Sequence, residues 1–283
     1  MTESVTVLSP GKINLALEIT GRRTDGYHRL QTIFQLLDWG DTMRFSLTSA
    51  PGVRLSISGC DQLSTANNLI VRAARALAAS QGELPGVQIV LNKRLPVGGG
   101  MGGGSSNAGT TLCVLNALWG LNLSRAALLS LALRLGADVP LFVGGQTAFG
   151  TGVGEQLTPY PLPSRWYVLL FPSVQVSTAA LFQDERLVRE APVTSAQALF
   201  TRQRNVFAPL LRADYPEIDA ACRALAPYAE PQITGTGSTV FAAFDTPAQA
   251  TQVAAALAED FNTQVVRGVV ETEVKKMFPL SDD

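Results

Sequence analysis

Pro96-Val97-Gly98-Gly99-Gly100-Met101-Gly102-Gly103-Gly104-Ser105-Ser106-Asn107-Ala108 sets six glycines in the seven positions 98–104, interrupted only by Met101. Ordering such a run is costly, because glycine loses more backbone freedom on folding than any other residue, so something is expected to compensate. The residues just beyond the run suggest how. Ala108, Leu112, Leu115 and Trp119 recur at helical spacing, with Ser105 at the expected N-cap. A glycine loop that feeds a helix N-terminus gathers several N–H groups and partial positive charge at one point, an anion site suited to phosphates. A flexible surface linker is the plainer alternative, and a well-formed helix directly after the loop weighs against it.

The surroundings of the loop point the same way. No Asp or Glu occurs between Glu83 and Asp138, where average acidic frequency would place about four, whereas Lys93, Arg94, Arg125 and Arg134 all fall there. A polyanionic ligand explains the cleared stretch; a buried apolar helix pair explains it too. Gly98-x-Gly100-x-x-Gly103 fits the dinucleotide fingerprint only formally, since no carboxylate lies about 20 residues on to hold a ribose. A Walker A loop is excluded, because Gly11-Lys12 is followed by Ile13, and the protein-kinase triplets are absent.

Outward from the loop, Ile13, Leu15, Leu17 and Ile19 alternate with Lys12, Asn14, Ala16 and Glu18, which predicts a strand with Lys12 and Asn14 on the face opposite the apolar row. Strands are also expected around Val53–Ile57, Val87–Leu91, Trp166–Phe171, Val240–Phe244 and Gln264–Val270. Helices are expected from Asn68, from Ser124 to Gly136, near Ser177, around Leu199–Leu211 and Glu217–Ala226, and after Thr246-Pro247. The order lacks a β-α-β-α rhythm, which favours α+β. Three prolines at 159, 161 and 163 mark a boundary, giving domains 1–158 and 159–283.

Composition narrows the partners. The 283 residues carry 22 basic and 23 acidic side chains, a net charge of −1, which gives no electrostatic footprint for nucleic acid or anionic lipid. Cys60, Cys113 and Cys222 are too scattered for a disulfide framework or a structural zinc site, and a single histidine, His28, rules out a multi-histidine metal cage. Met1-Thr2-Glu3-Ser4-Val5 has no basic n-region and the apolar runs are short, so a cytoplasmic protein without membrane contact is expected.

The whole loop resembles the Pro-x-x-x-Gly-Leu-Gly-Ser-Ser-Ala phosphate loop of the GHMP kinase superfamily, in the triple-glycine form of its 4-diphosphocytidyl-2-C-methyl-D-erythritol kinase family. Pro10-Gly11-Lys12-Ile13-Asn14-Leu15, Asp25-Gly26-Tyr27-His28 with Leu30-Gln31-Thr32, Gly136-Ala137-Asp138-Val139-Pro140 and Thr234-Gly235-Thr236-Gly237-Ser238 resemble further motifs of that family. One departure is Val206-Phe207-Ala208 after Arg204-Asn205, where the family usually has acidic residues, and no role is assigned there. The resemblance implies a two-domain α+β GHMP kinase fold, with a ribosomal protein S5 domain 2-like N-terminal domain and a ferredoxin-like C-terminal domain. It also implies a monomer or homodimer that uses ATP and Mg2+ to phosphorylate the 2-hydroxyl of a substrate bearing a cytidine diphosphate group.

The resemblance assigns roles residue by residue. Asp138 becomes the catalytic base, although a turn residue before Val139-Pro140 is the plainer alternative. Lys12, otherwise a solvated strand lysine, stabilises developing charge, and Asn14 supports the substrate or Lys12 through hydrogen bonds. ATP phosphates are cradled by Pro96, Gly98, Gly99, Gly100, Met101, Gly102, Gly103, Gly104, Ser105 and Ser106, with Lys93 near the adenine or the phosphates. Tyr27 and His28 hold the cytosine by stacking and edge hydrogen bonds, and Phe182 closes its other face. Gly235 and Gly237 approach the substrate diphosphate or form a tight turn before Val240. No protein ligand for the metal is named. Homoserine or mevalonate kinase and a nucleotide-sensing protein without catalysis are the competing readings.

Overall fold

A computed structural model describes residues 4–60, 63–65, 67–79 and 84–281, so Glu83 and the first three residues lie outside the described residues. In chain order it runs β1 (Ser4–Arg22), β2 (His28–Thr48), β3 (Val53–Ser58), α1 (Leu69–Ala78), β4 (Gly86–Asn92), α2 (Gly103–Leu118), α3 (Arg125–Leu135) and α4 (Val139–Gly144). Next come β5 (Ala148–Thr151), β6 (Gln156–Pro159), β7 (Trp166–Leu170), α5 (Thr178–Gln183), α6 (Ala196–Arg202), α7 (Ala208–Asp214) and α8 (Pro216–Leu225). The chain closes with β8 (Gln232–Ile233), β9 (Val240–Phe244), α9 (Pro247–Leu257), β10 (Thr263–Val269) and α10 (Glu273–Met277).

The long strand β2, which the alternation did not single out, organises the sheet. It pairs antiparallel with β1 for most of its length and, in succession, with β5, β10 and β4. In the second half the antiparallel order β10-β7-β9-β8 is the 4-1-3-2 arrangement of a β-α-β-β-α-β unit, the ferredoxin-like topology. In the first half α1 to α4 pack on β1 to β4 over a core that includes Phe45, Ile70, Leu77, Leu112 and Leu128.

Both faces of β1 are buried from Ser9 through Ile19, so Lys12 and Asn14 line the interior of a cleft, and the plainer reading of Lys12 as a solvated strand lysine does not hold. Register irregularities between Pro10 and Lys12 and between Asn14 and Ala16 flank this short segment and re-aim its side chains. The cut at 158/159 falls at the end of β6, just before the connector to β7, but it does not divide the packing. Thr272 N–H donates to the Gly145 carbonyl at 2.9 Å and Val274 is buried in the first core, so the last helix returns to the N-terminal half. The α2 N-cap is Gly102, at φ 70°, and not Ser105, which lies inside the first turn. Ser124 does cap α3, accepting from Ala127 N–H. All three cysteines are free, and burial pushes the Cys113 thiol up to about 12. No helix among the described residues is long and apolar enough to cross a membrane.

Candidate active site

A cleft of about 1060 Å³ runs between the halves, at the upper end of the range for one small-molecule ligand and spacious enough for two. Strand β1 supplies Lys12 and Asn14, the α4 N-terminus supplies Asp138, the glycine loop supplies Gly98, Gly100, Gly102 and Ser105, and the far end holds Tyr27, His28, Phe182 and Arg189.

At the centre, the Lys12 ammonium donates to Asn14 Oδ1 at 2.7 Å and to the Gly100 carbonyl at 2.8 Å, and stands 3.6 Å from Asp138 Oδ2. Three donors thus meet three partners, and the carboxylate is the loosest of them. Asp138 stands at the N-cap position of α4 without capping it, and its side chain is 34% exposed. Its oxygens therefore retain capacity to accept a proton from a bound hydroxyl. Asn14 is held on both sides: its amide donates to Thr32 Oγ1 at 2.8 Å, and Oδ1, which accepts from Lys12, also lies 3.2 Å from the Thr234 hydroxyl. Of its two expected roles, the geometry favours support of Lys12.

The glycine loop is held from both halves. Lys12 N–H donates to the Met101 carbonyl at 3.0 Å, and the one Thr234 hydroxyl proton is shared between Asn14 Oδ1 and the Gly100 carbonyl, 3.2 and 3.3 Å away. Gly100 has φ 75°, and a Cβ there would run into the carbonyl oxygens of Thr234 and Gly237, so only glycine fits. Gly235 packs on Gly100 of the glycine loop and also lines the cleft, while Gly237 rests against Leu211 and Ile218. The first intrahelical bond of α2 runs from Ser106 N–H to the Gly102 carbonyl, which leaves the amides of Gly103 to Ser105 without intrahelical acceptors beside the cleft.

Several expected phosphate contacts are turned elsewhere. Lys93 donates to Asp41 Oδ2 and to the Leu95 carbonyl, both at 2.8 Å, and is buried beneath the loop. Ser106 is buried with its hydroxyl 2.8 Å from that of Ser9, and Met101 is a core side chain. Among the glycines, a Cβ at Gly99 would meet Pro96 and Thr239 and one at Gly103 would meet Lys93 and Leu95, whereas the amides of Gly103 and Gly104 stay beside the cleft. Pro96 lines a separate groove with Trp39 and Arg94.

At the far end the His28 and Phe182 rings stack with centroids 5.1 Å apart, too close to admit a base between them, while Tyr27 is 66% exposed at the rim. Phe207 meets Phe182 edge-on at 5.0 Å. Burial first, then the Arg189 and Arg22 charges, hold the His28 imidazole below its ordinary value, so it is neutral at pH 7. Asp25 is tied to Arg23, whose hydrogen bond lowers its carboxyl. Among the described residues no cluster of three His, Cys, Asp or Glu could hold a metal ion.

Sequence reading missed the residues that hold this site in shape. Asn205 donates to the carbonyls of Ile233 and Gly235 at 2.7 and 2.8 Å, while Val206 and Phe207, in the segment that departs from the family pattern, are core residues. Thr234 lies inside the second glycine motif, but nothing in that motif signals its hydroxyl. Arg189, in a run of charged residues, carries no signal at all.

A glycine loop at a helix N-terminus and a Lys–Asp pair lie in the cleft between an α+β half and a ferredoxin-like half, the arrangement expected of a small-molecule kinase of the GHMP class. The family models described as GHMP kinases N terminal domain and GHMP kinases C terminal match residues 68–146 and 185–263. The chain is 47% identical over 256 residues to the 4-diphosphocytidyl-2-C-methyl-D-erythritol kinase of Marinobacter nauticus, covering 88% of this chain and 89% of that one. It is 51% identical over 243 residues to that of Alkalilimnicola ehrlichii, covering 86% and 83%. A crystal structure of 4-(cytidine 5'-diphospho)-2C-methyl-D-erythritol kinase superposes with a TM-score of 0.80 at 31% identity, covering 94% of this chain and all of that one. The chain belongs to the 4-diphosphocytidyl-2-C-methyl-D-erythritol kinase family of the GHMP kinases.

Proposed function

We propose that the protein transfers the γ-phosphoryl group of ATP to the 2-hydroxyl of 4-diphosphocytidyl-2-C-methyl-D-erythritol, a step of non-mevalonate isoprenoid precursor synthesis in the cytoplasm. The observation that carries this reading is one continuous cleft with the glycine loop and the Lys12–Asp138 pair at one end and the His28–Phe182 stack at the other. The cytosine lies against Phe182 with Tyr27 closing its other face and His28 at its edge. The diphosphate and sugar then run toward Asp138, which accepts the proton of the attacking hydroxyl. Lys12, fixed by Asn14 and Gly100, stabilises charge on the hydroxyl oxygen and the phosphoryl group, and the first-turn amides of α2 receive the ATP phosphates. Bound Mg2+ would supply charge neutralisation at the phosphates, and Asp138 is the cleft carboxylate beside the glycine loop that would help to hold it.

ATP consumption measured with 4-diphosphocytidyl-2-C-methyl-D-erythritol, homoserine and mevalonate side by side tests the reading. Turnover with the first alone is expected. Turnover with either of the others instead would reassign the substrate, and none with any would favour a nucleotide sensor.

A further inference from the structure

Arg189 sits at the far end of the cleft and spends its guanidinium on two tasks. Its terminal nitrogens donate to the carbonyls of Leu187, Phe182 and Asp184 at 3.0, 3.0 and 2.7 Å, which fixes the turn that carries the Phe182 ring. Its Nε–H donates to His28 Nε2 at 3.3 Å. Guanidinium nitrogens can only donate, so Nε2 must be the bare nitrogen and the proton must sit on Nδ1. That is the tautomer less favoured by imidazole in water, and a protonated ring would turn an N–H against the Arg189 donor.

We infer that Arg189 is a positioning residue that locks His28 as an Nδ1–H donor and sets its ring on Phe182, so that the pocket presents a fixed donor to the acceptor edge of a pyrimidine. The inference rests on the reading of this end as the cytosine site, since N3 and O2 of cytosine are adjacent acceptors. A histidine free to exchange tautomers would present that donor only part of the time, and the base would bind correspondingly less tightly.

His28 is the only histidine of the chain, so protein labelled with 15N-histidine gives a single imidazole signature. The wild-type spectrum at pH 7.5 or so is expected to show a protonated Nδ1 and a bare Nε2, and Arg189→Met to show a mixture with the Nε2–H form. Arg189→Met should raise KM for the cytidine diphosphate substrate about tenfold and leave KM for ATP within about twofold. Arg189→Lys keeps the charge but not the fork, and should fall between. A wild-type Nε2–H signal overturns the inference even if Arg189→Met does not fold. So does an unchanged tautomer in Arg189→Met, or an equal rise in both KM values, either of which would reduce Arg189 to a brace for the turn. Cytidine diphosphate titrated into the wild type separates the two levels. A His28 signal that does not respond overturns the cytosine site and this inference with it, whereas a responding signal with an Arg189-independent tautomer overturns the inference alone.

Discussion

Beneath the glycine loop Lys93 and Asp41 meet at 2.8 Å with side chains 6% and 0% exposed, and at its mouth Lys12 and Asp138 meet at 3.6 Å with side chains 4% and 34% exposed. The residue types are the same, with one lysine in β1 and the other just after β4. Asp41, however, accepts from Lys93, from the Arg94 and Leu95 amides and from Asn107, so every strong acceptor position is taken. Among the described residues, Asp138 meets only the distant Lys12 ammonium. A saturated buried pair braces a structure; an unsaturated, half-open pair can exchange a proton with a ligand. Saturation, rather than charge or residue type, separates the brace from the chemistry.

Breaking the brace should have the largest effect. Asp41→Ala leaves Lys93 buried and unpaired and should cost about 3–5 kcal/mol of stability, read as a lowered urea midpoint. If Lys93→Met instead left stability untouched and raised only KM for ATP, Lys93 would be a phosphate ligand and the contrast between the pairs would collapse. At the mouth, Asp138→Asn and Lys12→Ala should each lower turnover on the order of a hundredfold or more while the protein still folds, and near-normal kcat in either would remove the catalytic assignment. Farther out, His28→Ala should raise KM for the cytidine substrate about tenfold, and that for ATP much less; equal changes would contradict the division of the cleft. The smallest effect concerns pH. Because the folded His28 value lies below the ordinary 6.5, the unfolded chain takes up the proton first as pH falls. The stability His28 contributes is therefore complete above about pH 6.5 and declines below it. KM for the cytidine substrate should likewise be flat above about pH 6.5 and rise only beneath it, and a rise centred above that value would contradict a depressed imidazole.

Much of the architecture could be read locally. Helices announced themselves through caps such as Asn68, Ser124 and Thr246, whose side chains accept first-turn amides as their types suggest. The hub strand β2 could not be read so, because a strand buried on both edges and much of both faces loses the two-residue alternation that marks a half-exposed one. The α2 start was misplaced for a related reason: a glycine in left-handed geometry, held by tertiary contacts, ends the loop before any serine can cap the helix. The site divides in the same way. Lys12, Asp138, Tyr27 and His28 lie in compact motifs and all line the cleft, whereas Met101 and Ser106 of the glycine motif and Lys93 just after β4 face inward.

By itself the sequence determined the residue types the chemistry needs, the glycine loop that leads into a helix, and a stretch cleared of carboxylates around it. These are properties of neighbouring residues, and backbone sterics and helix electrostatics express them locally. Only the tertiary structure decided which lysine reaches the cleft and which is sealed beneath the loop, because Asp41, 52 residues from Lys93, reaches the same buried point. It also decided that Gly235 packs on Gly100 and that Arg189, 161 residues from His28, sets the imidazole's proton. Saturation of a polar group depends on which distant atoms arrive within hydrogen-bond reach, and no local pattern encodes that.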